Sequence, residues 1–276
     1  MGSIRQFFRN PSAVAGLAIL VAITLACLCS SWIVPYSPYD QNLQEKLLQP
    51  SALHFMGTDE FGRDVFVRIL VGAKYSLTSG FVSVLLSLAG GLLIGIPAGY
   101  VGGALDKGLM VVCDIMLAFP GILMAMALAM VIGPGIYTPM ITVGISSIPV
   151  FARLIRAQFL TLREAPFVEA MRAAGAGDLR IALKHILPNA LGPILVQSTL
   201  RMGVAIVTAA TLSFLGLGAQ PPAPEWGTML NSARTYFMTS AYLAMFPGLA
   251  ITVSVIAINL VGDALRDHLD PKLRER

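Results

Sequence analysis

The chain has 276 residues, of which 56% are hydrophobic and 12% are charged, and its formal net charge is +4. A soluble globular domain is about 45–50% apolar and about 25% charged, so this composition excludes an ordinary soluble domain. It also excludes a disordered chain, a coiled coil and a disulfide scaffold. We attribute the basic excess to loops on the cytoplasmic side of a membrane, and expect no nucleic-acid binding.

Long uncharged stretches predict an all-α integral membrane protein with six transmembrane helices. A hydrocarbon core of about 30 Å requires about 20 apolar residues of helix. The stretch Ile115–Ala152 is too long for one helix, and Gly133-Pro134-Gly135 together with Pro139 breaks it into two. The predicted spans are Ser12–Val34, Tyr75–Leu105, two within Ile115–Ala152, Asn189–Leu217 and Thr239–Val261.

The distribution of basic residues predicts the orientation of these spans. With the N-terminus inside, thirteen Lys and Arg residues fall in inner segments and five in outer segments, which is the asymmetry of the positive-inside rule. Trp32 and Trp226 then lie near the outer interface, where indole rings prefer the headgroup level. The result is one transmembrane domain over residues 1–276, with a cytoplasmic tail 1–11, an outer loop 35–72, an inner loop 153–188 and a cytoplasmic tail 264–276.

The inner loop contains the pattern of two short helices. Pro166 suits a first helical position, and Phe167, Ala170, Met171 and Ala174 follow at the spacing of one apolar helix face. Residues 175–177, Gly-Ala-Gly, end that helix, and a second helix from Asp178 to Leu187 is expected to end at Pro188. A helix this short needs a partner surface, either another protein or the lipid headgroups.

The same loop resembles the EAA loop of ABC importer permeases, whose pattern is E-A-A-x-x-x-G, nine residues, then I-x-L-P. Here Met171 replaces the second alanine, and His185 stands where isoleucine is usual. The resemblance implies a surface that couples the chain to an ATPase. The residues that carry this implied role are Phe167, Glu169, Ala170, Met171, Gly175, Leu187 and Pro188.

The outer loop strengthens the resemblance. Residues 54–64 read HFMGTDEFGRD and are similar to the H-x-x-G-T-D-x-x-G-R-D signature of the second permease subunit of dipeptide, oligopeptide and nickel importers. The segments 212–218, 221–227 and 270–274 resemble the same family, so the likeness covers essentially the whole chain. It implies the type I ABC importer permease fold. The signature residues are Gly57, Thr58, Asp59, Gly62, Arg63 and Asp64.

Membership of that family implies a set of partners in a bacterial inner membrane. They are a homologous second permease subunit, two cytoplasmic ABC ATPases, and a periplasmic or lipoprotein substrate-binding protein, with lipid around the spans. The implied function is ATP-driven import of dipeptides or oligopeptides, with nickel or another small solute as the alternative cargo. The chain lacks a G-x-x-x-x-G-K-[ST] loop, so ATP and Mg²⁺ are expected in the ATPases, with no cofactor here.

The sequence contains no motif typical of a catalytic or metal-binding site. The three histidines are scattered, and no G-x-S-x-G or H-E-x-x-H pattern occurs, so we expect neither an enzyme nor a metal site. The acids of the outer signature lack calcium-loop spacing. They favour a turn-rich loop braced by Asp and Arg pairs, and docking of the binding protein is the second interpretation.

Two charges within the spans are candidates for a translocation path. Asp114 lies about 10 Å along a helix from Lys107 and is expected to form a local pair near the inner interface. Arg201 lies about 20 Å beyond Pro188, near mid-membrane, where a cation must face water or an acid. Arg201 therefore either attracts the carboxylate of a cargo or pairs with Asp114 or with an acid of the partner. An ion-driven secondary transporter would need more such residues.

Overall fold

The computed structural model describes residues 10–33 and 36–269, in which the regular elements are helices. One isolated β-bridge joins Thr58 and Asp64. The helices are α1 Pro11–Leu28, α2 Ser30–Ile33, α3 Val65–Val101, α4 Gly103–Leu117, α5 Gly121–Ile132, α6 Thr138–Leu162, α7 Pro166–Ala173, α8 Asp178–Arg180, α9 Leu187–Phe214, α10 Trp226–Ala233 and α11 Tyr242–Leu269. Single 3₁₀ turns occupy Leu43–Glu45 and Arg234–Tyr236, and a π-helical segment, Ile181–Ile186, joins α8 to α9.

The predicted all-α membrane architecture is confirmed. Five helical units are long and apolar enough to cross a membrane: α1, α3, α6, the continuous unit from α8 to α9, and α11. The pair α4 and α5 makes a sixth crossing if it is counted as one span, with a bend of 88° between the two helices. The break that the sequence predicts at residues 133–135 is present, since α5 ends at Ile132 and α6 begins at Thr138.

Two span boundaries differ from the prediction. α3 begins at Val65, ten residues before Tyr75, because the helix accommodates both charges that precede the uncharged stretch: Lys74 is exposed, and the buried side chain of Arg68 is satisfied by protein groups. The third crossing begins at Gly103 and is broken near Pro120, whose missing N–H cannot continue the helix. A continuous span starting at Ile115 is therefore wrong.

Small residues let α3 and α6 pack closely at the centre of the fold. A Cβ built on Gly91 would lie 2.4 Å from the Cβ of Phe151, so only glycine permits this approach. The hydroxyl of Ser83 donates to the carbonyl of Met140, and that of Ser87 donates to the carbonyl of Gly144, both at 3.0 Å. Close packing and these hydrogen bonds along the pair make α3 and α6 one structural unit.

The two tryptophans have different environments. Trp32 is 90% exposed, as expected for a side chain at an interface. Trp226, at the start of α10, is 1% exposed, and its Nε1 donates to the carbonyl of Ile69 at 3.0 Å. The indole fills the space between α3 and α10 and has its N–H satisfied inside the chain, and its position near the outer interface stays a prediction.

Pro188 does not end a helix, in contrast to the prediction. It lies in the first turn of α9, which continues from α8 through the π-helical segment. A proline lacks the N–H that an α-helix requires there, and the wider π turn immediately before it accommodates that loss. The second short helix of the inner loop is consequently the beginning of the span that contains Arg201.

Candidate functional site

The connection between α2 and α3, residues 36–64, is held by a buried ion pair. Nε of Arg63 donates to Oδ2 of Asp59 at 2.7 Å, and both residues are almost fully buried. Oδ1 of the same carboxylate accepts the backbone N–H groups of Phe61 and Arg63, at 2.9 and 3.0 Å. A buried carboxylate with these donors is fully satisfied and is not available as a calcium ligand.

A second acid of the signature starts the long helix α3. Oδ1 of Asp64 accepts from the N–H of Val67 at 2.9 Å and caps the helix, while Oδ2 lies 2.8 Å from Nδ1 of His54. Nε2 of His54 faces Glu45 at 3.7 Å. The signature therefore joins the connection to α3 through one carboxylate that serves two partners.

The small residues of the signature permit its turns. Gly57 and Gly62 have φ of 74° and 72°, and a Cβ on Gly62 would lie 1.8 Å from the carbonyl oxygen of Asn42, so a side chain is excluded there. The hydroxyl of Thr58 donates to the carbonyl of Glu45 and accepts from the N–H of Leu48. These contacts are internal to the connection, whose fold is set by the chain itself.

Arg68 was not singled out in the sequence, yet it ties three segments together. Its Nη1 donates to the carbonyl of Pro38 at 2.8 Å and to that of Pro222 at 3.2 Å, and its Nε lies 3.5 Å from Asp59. The sequence does contain a signal for this role: Arg68 lies in the first turn of a helix capped by Asp64, within reach of the acidic residues of the connection.

At the opposite end of α3, the short helix α7 has one buried and one open side. Val168 is fully buried and Met171 packs against the same core cluster. The remaining predicted residues of the helix, Phe167, Glu169 and Ala170, are exposed. Val168 was missed in the sequence, although it is three residues before Met171 and thus on the same side. The predicted apolar face is split between the core of the chain and an uncovered surface.

The glycine turn after α7 has the geometry expected for it. Gly175 has φ of 78°, its N–H donates to the carbonyl of Arg172, and the N–H of Ala176 donates to the carbonyl of Met171. This is the Schellman pattern of a helix C-terminus. Farther on, Leu187 is partly buried and Pro188 is exposed, so these two residues are separated from the open face of α7 by the turn and by α8.

Two hydrogen bonds fix this region to the end of α3. The hydroxyl of Tyr100 donates to Oδ1 of Asp178 at 2.6 Å, and Nη1 of Arg163 donates to the carbonyl of Gly99 at 3.2 Å. The signature residues and the short-helix loop thus contact opposite ends of the same helix.

The two charges of the spans are not paired with each other. Asp114 of α4 accepts from Nη2 of Arg153 of α6 at 2.5 Å, with both side chains about half exposed. The expected local pair is therefore made with a residue of another helix, and a pair between Asp114 and Arg201 is wrong. Among residues 10–33 and 36–269, no ion pair includes Arg201.

Arg201 lines a cavity of about 370 Å³ at the bend between α4 and α5. Ser146 and Ser147 of α6 and Thr208 of α9 add hydroxyl groups to its wall. The rest of the lining is mostly apolar and comprises Met116, Leu117, Phe119, Pro120, Gly121, Ile122, Val143, Val150, Val204 and Ala205. A cation with three nearby hydroxyl groups in an otherwise apolar recess suits an anionic group of a small molecule.

Comparison with known proteins gives two family models that match most of the chain. The family model described as "Binding-protein-dependent transport system inner membrane component" matches residues 91–275. The model described as "N-terminal TM domain of oligopeptide transport permease C" matches residues 2–50.

Curated relatives are similar over nearly their full length. The glutathione transport system permease protein GsiD of Pectobacterium atrosepticum is 45% identical over 272 residues, which cover 98% of this chain and 90% of the relative. The dipeptide transport system permease protein DppC of Alkalihalophilus pseudofirmus is 43% identical, with 99% of this chain and 90% of the relative covered.

A solved structure has the same fold. An inward-facing conformation of the MetNI methionine ABC transporter matches with a TM-score of 0.57 and 22% identity, covering 75% of this chain and 96% of that one. At this identity the likeness concerns the arrangement of the helices alone.

Proposed function

The chain belongs to the family of binding-protein-dependent transport system inner membrane components, and from this premise we propose that it forms half of the channel of a small-peptide ABC importer. Glutathione and dipeptides, which the names of its relatives specify, are both short peptides with free charged groups. The permease itself carries no ATP site in this proposal, and ATP with Mg²⁺ is bound by two ATPase subunits.

The observation that carries the proposal is the two-sided helix α7. Val168 and Met171 hold it to the core, while Phe167, Glu169 and Ala170 stay uncovered. A helix of eight residues is marginal in water without tertiary contacts, so a second protein surface over its open side stabilises it. In the proposal this surface belongs to an ATPase, and Gly175 sets the angle at which α7 meets it.

The proposed mechanism couples nucleotide binding to access on the other side of the membrane. Closure of the ATPase pair displaces α7, and the hydrogen bonds of Tyr100 and Arg163 pass this displacement to the end of α3. Each ATPase state then stabilises one of two positions of the helices, which is how a ligand biases a two-state element. The homologous second permease lines the other half of the path.

The connection 36–64 lies at the opposite end of α3, on the proposed periplasmic side with both chain termini in the cytoplasm. Its signature residues, including Gly57, Thr58, Asp59, Gly62, Arg63 and Asp64, act there as a preformed scaffold below the binding protein. A preformed surface loses little conformational entropy on docking, which favours repeated association and release.

Transport by the purified complex tests the proposal. The chain, co-purified with its second permease, ATPases and binding protein, is reconstituted in vesicles with ATP enclosed. We expect uptake of radiolabelled glutathione or dialanine that requires both the binding protein outside and hydrolysable ATP inside. Uptake driven by a proton gradient without ATP, or uptake of Ni²⁺ with no peptide uptake, contradicts it.

A cysteine at Gln44, in a chain without native cysteines, reports the orientation by labelling with an impermeant maleimide from outside.

A further inference from the structure

Two recesses adjoin on helix α9, and they carry opposite charges. The first is the cavity that contains Arg201. The second is an open groove of about 500 Å³ between α9 and α11, with Asn259 and Asp263 in its wall. Val204 and Thr208 line both recesses, so the two are separated by little more than one strip of α9.

The two charged residues lie at nearly the same height along α9. A Cβ on Gly262 would lie 2.8 Å from Oγ1 of Thr199, which places Asp263 beside the turn that contains Thr199. Arg201 is two residues farther along α9, which is about 3 Å at the rise of an α-helix. Arg201 and Asp263 therefore face neighbouring sides of one helical turn.

Within residues 10–33 and 36–269, neither residue has a charged partner. Among the described residues, the ion pairs include neither Arg201 nor Asp263, and Asp263 is exposed. An unpaired charge that faces hydrocarbon is costly, so Arg201, which lies within a predicted span, faces water, a ligand or another subunit. Asp263 lies two residues beyond the predicted end of the last span. An acid and a base that are close together but not bound to each other leave room for a ligand with both charges.

We infer that Arg201 and Asp263 form a two-point site for a zwitterionic peptide: Arg201 binds the C-terminal carboxylate, and Asp263 binds the N-terminal ammonium group. The inference rests on the proposed function and specifies its cargo. The guanidinium fork suits a carboxylate, and the hydroxyl of Ser147 supplies a further donor. The ammonium donates to the carboxylate of Asp263 and to the amide oxygen of Asn259. The N-terminus of α5, whose first turn has no acidic residue, adds positive potential beside Arg201.

Pairing each residue change with a change in the cargo tests the site. Uptake by the complete complex is measured for dialanine, its C-terminal amide and its N-acetyl derivative, in the wild type and in the variants Arg201→Gln and Asp263→Asn. The ratio of variant to wild type is compared for each cargo, so the preferences of the binding protein cancel. Arg201→Gln is expected to slow uptake of dialanine about tenfold, the effect of losing one charge-assisted hydrogen bond.

The expected pattern is specific to each end of the cargo. Arg201→Gln changes uptake of the C-terminal amide little, because that cargo has no carboxylate for Arg201 to bind. Asp263→Asn changes uptake of the N-acetyl derivative little, because that cargo has no ammonium group for Asp263 to bind. The controls Arg266→Gln and Asp267→Asn, exposed positions of α11 outside both recesses, leave all three rates unchanged.

Equal losses for all three cargos overturn the inference, as does a lower yield of the assembled complex, which indicates pairing with an acid or base of the second permease. Unchanged uptake in both variants overturns it as well. Each of these results leaves peptide import by the wild type intact, whereas no peptide uptake by the wild type contradicts the proposed function itself.

Discussion

The connection 36–64 and the loop 163–177 lie at opposite ends of α3 and are built in opposite ways. In the first, Asp59, Arg63 and Asp64 are buried and have partners inside the chain. In the second, Glu169 is exposed and forms no ion pair within the described residues, and only Val168 is fully buried. Both segments carry the most recognisable motifs of the sequence, yet one is satisfied internally and the other is open.

This difference teaches that similar sequence signals have two physical causes. The fold requires the residues of the connection: removing a charged one leaves its buried partner unpaired, and replacing a glycine puts a side chain where the turn has no space for it. The exposed residues of α7, unlike Val168 and Met171, are not required by the packing of the described residues, so we expect their role to lie in contacts with another molecule. Variants of the first kind should lower stability, and variants of the second kind should lower activity alone.

The largest expected effect is on stability, from Asp59→Ala. The change leaves the guanidinium of Arg63 buried without its acceptor, a loss of about 3–5 kcal/mol. The midpoint of thermal unfolding in detergent should fall by about 10 °C. Asp40→Ala, an exposed acid of the same connection, is the matched control and should leave the midpoint nearly unchanged. Equal midpoints for the two variants would show that the connection is not held by this pair.

An intermediate effect is expected on activity from Glu169→Lys. Its side chain is exposed, so the unfolding midpoint should change by less than the equivalent of about 0.5 kcal/mol. Cargo-stimulated ATP hydrolysis by the complex should fall about tenfold, a usual size for coupling between sites. Asp267→Lys makes the same charge change at an exposed position of α11, outside α7, and should retain activity. A loss in both variants would point to a general effect of charge on the chain.

The smallest expected effect separates backbone conformation from side-chain contact. Gly175→Ala places an alanine at φ of 78°, at a cost of about 1 kcal/mol, although no atom lies within 4 Å of the new Cβ. Gly177→Ala is the control, since it has equal space and φ of −69°. We expect a lower midpoint and weaker ATPase stimulation for Gly175→Ala only. The same result for both variants would attribute the effect to lost flexibility instead of to the left-handed turn.

Much of the fold follows from the sequence, because uncharged stretches and Gly-Pro breaks are local signals. The start of α3 is not predicted because the charges of Arg68 and Lys74 precede the uncharged stretch, whereas the helix accommodates both: Lys74 is exposed, and the carbonyls of Pro38 and Pro222 satisfy Arg68. Those partners lie 30 and 154 residues away in the chain. The bend before α5 does have a local signal in the sequence, Pro120.

In the candidate sites too, the sequence predicts the features that neighbouring residues determine, but not those that depend on how the helices pack. The turn at Gly175 and the start of α7 at Pro166 are encoded by neighbouring residues and could be predicted. The partner of Asp114 could not, because spacing within a helix does not reveal the register of α4 against α6, which brings Arg153 to it. Asp263 was missed for a related reason: its place beside Arg201 exists only once α9 and α11 pack.

The length and close packing of α3 have a mechanical consequence. Its 37 residues span about 55 Å at about 1.5 Å per residue, and glycines along it pack directly against the backbone and side chains of α6. Pro97, inside the helix, lacks the N–H of a helical hydrogen bond and allows a bend near one end. The helix before Pro97 behaves as a stiff rod, and a tilt of about 5° moves the far end of that part by about 4 Å. A movement at one end of α3 can therefore displace groups at its other end, across the membrane, by a change of tilt alone. The rod does not unwind, and none of its hydrogen bonds is broken.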